Sequence, residues 1–194
     1  ATGNTSTCSM TVTVNDIIAP TIVCPEVEER TVYTNADGAG NCTAAVTMEL
    51  PTYYDNCNLV SWSYTAINTY QGTVTNITAT LTGAGTGNNA SGIYPVGETV
   101  ITYTVTDAYG NSSSCAVSVI VIDNELPAIS CPANVAVSSA PGSCSATVNI
   151  AAPAVTDNCG VSTVTNSLTG GSSIAGTYPV GSTVVTWTAT DVNG

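Results

Sequence analysis

Residues 94–122 read YPVGETVITYTVTDAYGNSSSCAVSVIVI, and this stretch contains the pattern that decides the fold. Two runs, 100–105 and 117–122, are rich in β-branched and aromatic residues and flank the turn residues 108–111. Runs of this composition favour strands, and glycine with asparagine between them favours a turn. The stretch therefore predicts an antiparallel hairpin, which we label strands F and G of a β-domain.

The same signals occur twice along the chain. The repeated motifs are Cys-Pro at 24–25 and 131–132, Asp-Asn-Cys at 55–57 and 157–159, and Tyr-Pro-Val-Gly at 94–97 and 178–181. Pro, Gly, Asn and Asp punctuate the sequence every eight to twelve residues, and no stretch has helical periodicity, which predicts about seven strands in each motif copy. This spacing is typical of antiparallel β-sandwiches with Greek-key connections, arranged in tandem as an elongated chain.

The motif positions set the predicted domain boundaries. Residues 3–8 match the turn and cysteine at 110–115, so residues 1–17 are predicted to be a G strand and linker of a preceding copy. The first complete copy is predicted at 18–124, and a second copy without its G strand at 125–194. The motif positions allow two interpretations. Either the sequence is an excerpt of a longer array, or the G strand is donated between subunits.

The composition excludes most catalytic chemistry. Arg30 is the only cation in 194 residues, lysine and histidine are absent, and the formal net charge is −12. Nucleophile–histidine relays and Schiff-base chemistry are therefore unavailable, and we predict that the protein is not an enzyme. An acidic chain without cations is also repelled by nucleic acid and by anionic membranes, and no apolar run is long enough for membrane insertion.

Eight cysteines predict disulfides in an oxidising, extracellular compartment. The first copy has four, the second copy has three, and Cys8 belongs to the preceding copy; the distance from the second to the third cysteine is 15 residues in both copies. We expect a Cys42–Cys57 pair and a Cys24–Cys115 pair that joins strand A, the predicted strand after Cys24, to strand G. Bridges across the copy boundary, 8–24 and 115–131, are the disfavoured alternative, because an extended strand separates its ends by about 3.3 Å per residue. The cysteines are Cys8, Cys24, Cys42, Cys57, Cys115, Cys131, Cys144 and Cys159.

Taken together, these motifs resemble the hyalin repeat, or HYR domain, over essentially the whole chain. The resemblance rests on the Pro-x-Ile-x-Cys-Pro opening at 20–25, on the Asp-Asn-Cys motifs, and on the succession of motifs in 94–122. It implies an immunoglobulin-like extracellular adhesion module, carried in tandem in large surface proteins, with no catalytic residues. The composition is more typical of a bacterial surface filament than of an animal matrix protein.

An immunoglobulin-like topology places the B–C loop, the F–G loop and the N-terminal linker at one end of each copy. Carboxylates on these segments are then expected to converge and to offer oxygen ligands for Ca²⁺ at the junctions between repeats. The alternative role is structural, since aspartates in such turns accept hydrogen bonds from backbone N–H groups. The predicted clusters are Asp16, Asp55 and Asp107, and Asp123, Asp157 and Asp191.

We therefore expect a structural or adhesive stalk segment of a cell-surface filament or giant adhesin. Its partners would be neighbouring repeats or identical subunits, with a host, substratum or glycan as a further possible ligand. One alternative is a fibre subunit that assembles by β-strand donation. Another is a glycan- or protein-binding module that uses the first copy's insertion at residues 65–92, which is predicted to form loops.

Overall fold

The computed structural model describes residues 3–25, 29–37, 40–78, 81 and 89–194. Within these ranges the chain forms fifteen β-strands and one 3-10 turn. The elements are β1 (Thr21–Val23), β2 (Glu29–Tyr33), the 3-10 turn (Thr34–Asp37), β3 (Thr43–Val46), β4 (Thr52–Tyr54), β5 (Leu59–Tyr70), β6 (Thr73–Asn76), β7 (Gly92–Pro95), β8 (Gly97–Asp107), β9 (Ser112–Ile122), β10 (Ala128–Ser130), β11 (Ser145–Val148), β12 (Ala154–Thr156), β13 (Val161–Asn166), β14 (Gly176–Pro179) and β15 (Trp187–Asp191).

The strands form one large sheet and several strand pairs. The large sheet has the order β2-β9-β8-β5-β6, and the two-stranded sheets are β1–β4, β3–β7, β10–β12, β11–β14 and β13–β15. The hairpin expected from 94–122 is present, because β8 and β9 are neighbours in the large sheet. The structure confirms the predicted all-β, immunoglobulin-like class. In the described part of the chain, no helix is long and apolar enough to cross a membrane.

The chain divides into two compact units. Unit 1 comprises Ala1–Arg30, Thr47–Gly92 and Thr99–Val119, and unit 2 comprises Thr31–Val46, Ile93–Glu98 and Ile120–Gly194. Most of the large sheet belongs to unit 1. Unit 2 contains β10 to β15 together with a segment of the first motif copy, so residues from both motif copies lie in one compact unit.

Tyr103 is a fully buried core residue of unit 1. It is on β8, where alternate residues are buried as a half-buried strand requires. Its ring centroid lies 6.4 Å from that of Trp62 and 6.1 Å from that of Tyr64, both on β5. Its hydroxyl donates a hydrogen bond of 3.1 Å to the carbonyl of Asn89, which satisfies the one polar atom of this buried ring.

The inserted region of the first motif copy forms a hairpin where loops were predicted. β5 continues through residue 70 and pairs antiparallel with β6, with Tyr70 opposite Thr73. The two connecting residues, Gln71 and Gly72, have φ angles of 48° and 77°, the positive values that two-residue hairpin turns of type I′ require. Residues 79–80 and 82–88 of the 65–92 insertion lie outside the described residues.

Residues 3–20 contain no assigned strand, although residues 1–17 were expected to include a G strand. Their apolar side chains are exposed: Met10 by 87%, Val12 by 73% and Val14 by 84%. An extended segment becomes a sheet strand only when a neighbouring strand hydrogen-bonds to it. Met10, Val12 and Val14 nevertheless keep the period of two that places side chains on one face of a strand.

The buried hydroxyl of Tyr103 gives a test of the core. The Tyr103→Phe variant is expected to lose about 1 kcal/mol of unfolding free energy at neutral pH, because its hydrogen bond to Asn89 is removed. Burial and then the nearby Tyr64 raise the pKa of Tyr103 to about 12, while an unfolded tyrosine titrates near pH 10. The wild-type protein should therefore lose stability as pH rises from about 10 to about 12, and the variant should lose less.

The measurement is denaturant unfolding at pH 8 and at several alkaline pH values. Tyr109→Phe is the matched control, because Tyr109 is exposed in the β8–β9 turn. An equal alkaline loss in wild type and the Tyr103→Phe variant would show that Tyr103 is not the group responsible.

Candidate functional site

Two disulfides cross-link the chain, one in each unit. Cys24 is joined to Cys115 in unit 1, with a Cα–Cα distance of 5.8 Å. Cys42 is joined to Cys159 in unit 2, with a Cα–Cα distance of 4.7 Å and a sequence separation of 117. The first pair is the one expected for strands A and G. The second joins the second cysteine of one motif copy to the third cysteine of the next.

The predicted Cys42–Cys57 pair is wrong. Cys57 has a free, exposed thiol, and its backbone N–H donates to the Asp55 carboxylate at 2.9 Å, which holds it in a turn. The constant spacing of 15 residues that suggested the pair is a property of the repeated motif. It is equally compatible with a bond from one copy to the next, and no signal in the sequence distinguishes the two.

Four cysteines have free thiols. They are Cys8, Cys57, Cys131 and Cys144, and all four are exposed. The disfavoured boundary bridges, 8–24 and 115–131, are absent because Cys24 and Cys115 are bonded to each other. These exposed thiols are accessible to thiols of another molecule.

The structure brings the first predicted acidic cluster together in unit 1. Asp107 is the last residue of β8, Asp55 follows β4, and Asp16 lies in the segment before β1. Each offers one carboxylate oxygen, and these oxygens all lie within 4.8 Å of one another. Three like charges at this distance repel, and Arg30, the one cation of the chain, bonds elsewhere, to the carbonyl of Thr47 at 2.8 Å.

Asp107 also fixes the β8–β9 turn, as the structural alternative predicted. Its Oδ1 accepts hydrogen bonds from the backbone N–H groups of Tyr109 and Asn111, both at 2.8 Å. Its Oδ2 accepts a bond of 2.7 Å from the Asn111 side chain. Asn111 also donates to the carbonyl of Asp16 at 3.2 Å and so ties the segment before β1 to this turn.

A second predicted cluster forms in unit 2 from Asp123, Asp157 and Asp191, again with oxygens within 4.8 Å of one another. Asp123 is buried and lies directly after β9, in the first motif copy. It accepts hydrogen bonds from Thr34 at 3.1 Å, from Asn158 at 3.1 Å and from Asn193 at 2.7 Å. The cluster therefore combines a carboxylate of the first copy with two from the second.

Several buried oxygens in the two clusters have no hydrogen-bond partner among the described residues. They are Oδ2 of Asp16, Oδ1 of Asp55, Oδ2 of Asp157 and Oδ1 of Asn158. Buried polar atoms are normally paired, and an unpaired carboxylate oxygen is costly. A hard cation with oxygen ligands would satisfy these atoms and offset the repulsion, so both residue sets fit Ca²⁺.

The surroundings of the first cluster shift the pKa values of two of its carboxylates and of the neighbouring Cys57 thiol. The backbone N–H of Ile18 lowers the pKa of Asp16, against an opposing effect of burial. Burial raises the pKa of Asp107, but the hydrogen bonds from Asn111, Tyr109 and Gly110 together outweigh it, so the net shift is downward. A hydrogen bond to Asp16, followed by burial and the neighbouring carboxylates, raises the pKa of the Cys57 thiol.

The lowered pKa of Asp107 gives an acid-stability test. Because its pKa lies below the unfolded value of about 3.8, its contribution to stability is present above that pH and is lost as pH falls through the folded pKa. The Asp107→Asn variant keeps a side-chain acceptor but loses the charge, so its denaturation midpoint should fall less between pH 5 and pH 3 than that of the wild type. The control is Glu49→Gln, because Glu49 is exposed; a variant as acid-sensitive as wild type would contradict this role.

The chain matches known proteins as follows. Residues 122–194 match the HYR domain family model. Hyalin of Strongylocentrotus purpuratus is 38% identical over 104 residues, which is 52% of this chain and 8% of hyalin. Sushi, von Willebrand factor type A, EGF and pentraxin domain-containing protein 1 of Mus musculus is 31% identical over 199 residues, covering 99% of this chain and 5% of that protein. The protein of the same name from Rattus norvegicus is 40% identical over 108 residues, which cover 53% of this chain and 3% of that protein.

The chain thus spans less than a tenth of each of these relatives. They are animal proteins, so they give no support to the bacterial source that the composition suggests. No solved structure matches the chain significantly. The motif match, the all-β fold and the similarity to hyalin agree with one another, and residues 122–194 are similar to the HYR domain, the hyalin repeat.

Proposed function

We propose that this chain is a structural and adhesive stalk segment of an extracellular filament or large adhesin built from tandem HYR-type repeats. The predicted repeat boundaries, 18–124 for the first copy and 125–194 for the second, are part of the proposal. The relatives carry the same module within much longer proteins. The absence of lysine and histidine and the single Arg30 favour a mechanical or binding role over catalysis.

The observation that carries the proposal is the Cys42–Cys159 disulfide. A covalent bond from the second cysteine of one motif copy to the third cysteine of the next supplements the peptide connection between them. Because both cysteines lie in unit 2, the bond fastens residues 31–46 of the first copy to the second copy, and this segment cannot separate from the second copy unless a covalent bond breaks. A load-bearing stalk requires that resistance to separation, whereas a soluble enzyme domain does not.

Calcium is the second part of the proposed mechanism. Ca²⁺ held by Asp123, Asp157 and Asp191 would tie the end of β9 to the loop after β12 and to the last residue of β15, both in the second copy. Asn158, whose Oδ1 is unpaired and buried, is the further ligand that fits this site. Bound Ca²⁺ would neutralise the repelling carboxylates and stiffen the copy junction in the extracellular medium, where such sites bind with millimolar affinity.

The disulfide is tested by peptide mapping of the non-reduced protein. The proposal expects a cross-linked peptide pair that contains Cys42 and Cys159. A Cys42–Cys57 pair would overturn it, because the two motif copies would then be joined by the backbone alone. The Cys42→Ser, Cys159→Ser double variant should give a broader distance distribution in small-angle X-ray scattering than wild type, with Cys131→Ser as the control because Cys131 has no bond in the chain.

Calcium binding predicts a rise in stability with added metal. At a Ca²⁺ concentration 100 times Kd, each site should add about 2.7 kcal/mol to the free energy of unfolding. In the Asp157→Asn variant the rise from the second cluster should be lost, while the bonds from the N–H groups of Cys159 and Gly160 keep an acceptor oxygen. Glu49→Gln is again the exposed control, and the measurement is thermal unfolding with calorimetric titration of Ca²⁺. Equal responses of wild type and the Asp157→Asn variant would contradict the site.

A further inference from the structure

We propose that Asn41 and Asn76 are acceptor sites for N-linked glycans, and that the glycan on Asn76 covers the outer edge of the large sheet. The acceptor motif is Asn-x-Ser/Thr, in which x is not proline. Between β1 and β15 the sequence contains four such sequons, at Asn41, Asn76, Asn89 and Asn111. The structure gives these four side chains different environments. Neither proposed acceptor is a disulfide partner or a proposed Ca²⁺ ligand, so the sites are independent of the stalk function.

Asn76 presents its amide nitrogen to solvent in unit 1. It is the last residue of β6, and it is exposed. Its Oδ1 accepts a hydrogen bond of 3.0 Å from the backbone N–H of Thr78, the third residue of the sequon. Its Nδ2 has no acceptor among the described residues. Since an N-linked glycan is attached to Nδ2, modification here keeps the bond to Oδ1 and breaks no other hydrogen bond.

Asn41 has a similar arrangement in unit 2. It lies two residues before β3 and is exposed. Its Oδ1 accepts a hydrogen bond from the hydroxyl of Thr43, the third residue of its sequon, and its backbone carbonyl accepts one of 3.3 Å from the Asn158 side chain. In the part of the chain that the structure describes, Nδ2 of Asn41 donates to no group. The two sequons with threonine therefore leave the nitrogen that carries the glycan accessible.

The two sequons with serine use this nitrogen inside unit 1. Nδ2 of Asn111 donates to Oδ2 of Asp107 at 2.7 Å and to the carbonyl of Asp16 at 3.2 Å, so both of its hydrogens are used. Nδ2 of Asn89 donates to the carbonyl of Met48, and both asparagines are half-buried. A sugar on either nitrogen would break these bonds and place a bulky polar group within the fold. A chain modified at either position could not adopt the described structure.

The position of Asn76 gives its glycan a role. β6 is the outermost strand in the order β2-β9-β8-β5-β6, and within the described residues its one strand partner is β5. All four of its residues are exposed, Val74 by 66%. The strand, Thr-Val-Thr-Asn, has no charge and no proline, two means by which edge strands avoid pairing with other molecules. A hydrated glycan at the end of this strand would block such pairing in their place.

The modification is a glycosyl transfer from a lipid-linked oligosaccharide diphosphate, catalysed by an oligosaccharyltransferase. Nδ2 of the asparagine forms a bond to the anomeric carbon of the first sugar, and the bond between that carbon and the diphosphate oxygen breaks. The lipid diphosphate leaves with the electron pair, and the amide nitrogen loses one proton to a base of the transferase. In the product, Oδ1 of Asn76 remains an acceptor for Thr78.

The test is secretion of the full chain, with an added signal peptide, from cultured animal cells, followed by peptide mapping. Chymotrypsin separates the four sequons, because a tyrosine, tryptophan or leucine lies between each neighbouring pair. A glycan-releasing amidase then converts each glycosylated asparagine to aspartate. We expect conversion at Asn41 and Asn76 and none at Asn89 and Asn111. Failure of either expected conversion, or a glycan on Asn89 or Asn111 of the folded protein, would overturn the assignment.

Two variants separate the effect of the structure from that of the motif, since the third residue alone could produce the same pattern. Ser113→Thr gives Asn111 a threonine sequon. Thr78→Ser gives Asn76 a serine sequon and keeps the hydroxyl that accepts a bond of 2.7 Å from the N–H of Ala66. Asn111 should stay unmodified in the first variant, and Asn76 should stay modified in the second. The opposite result in either variant would show that the motif, and not the fold, selects the sites.

Light scattering of the secreted protein tests the covering of the sheet edge. Asn76→Gln removes the glycan at an exposed position, so it should leave the circular dichroism spectrum unchanged and raise the oligomer fraction severalfold. Asn41→Gln, which removes the other glycan, is the matched control and should associate no more than wild type. Adding Val74→Asp to Asn76→Gln should restore the monomer, because a charge on an edge strand opposes pairing. Equal association of the two single variants would contradict the role of the glycan at β6.

Discussion

The sheet of the first motif copy depends on one strand, β9. It lies between β2 and β8, so it satisfies backbone hydrogen bonds on both of its edges. It also buries Val117, Val119 and Val121 almost completely. Where no equivalent strand is present, in the described part of the second copy, β15 has one sheet partner and the segment after Cys131 has no assigned strand. Within the described residues, β9 is therefore paired on both edges, whereas β15 is paired on one.

The end of β9 also connects the fold to the proposed function. Asp123 follows the strand directly and meets Asp157 and Asp191 of the second copy. In the same unit the Cys42–Cys159 bond joins the two copies covalently. A carboxylate cluster and a disulfide therefore act on one junction, and both are made from motifs that recur along the sequence. Repetition of the motif repeats the junction, as a stalk requires.

The sequence was most informative where local chemistry decides the structure. The runs of β-branched and aromatic residues in 94–122 predicted β8 and β9, and the Asp-Asn-Cys motifs with the turn aspartates predicted both acidic clusters. The disulfide partner of Cys42 was predicted wrongly. A disulfide forms between cysteines that are close in space, and a repeated sequence spacing does not show which distant residue is close. The β5–β6 hairpin was missed because its turn, Gln71-Gly72, was hidden inside an insertion that has no counterpart in the second copy.

Hydrogen exchange of the backbone amides, followed by mass spectrometry on the isolated monomer, tests the role of the β9-type strand most directly. The account predicts slow exchange in 112–122, where both edges of the strand are paired, and fast exchange in 8–15 and 133–139. Protection of 8–15 in the monomer equal to that of 112–122 would contradict the account, because the segment would then already have a partner within its own chain.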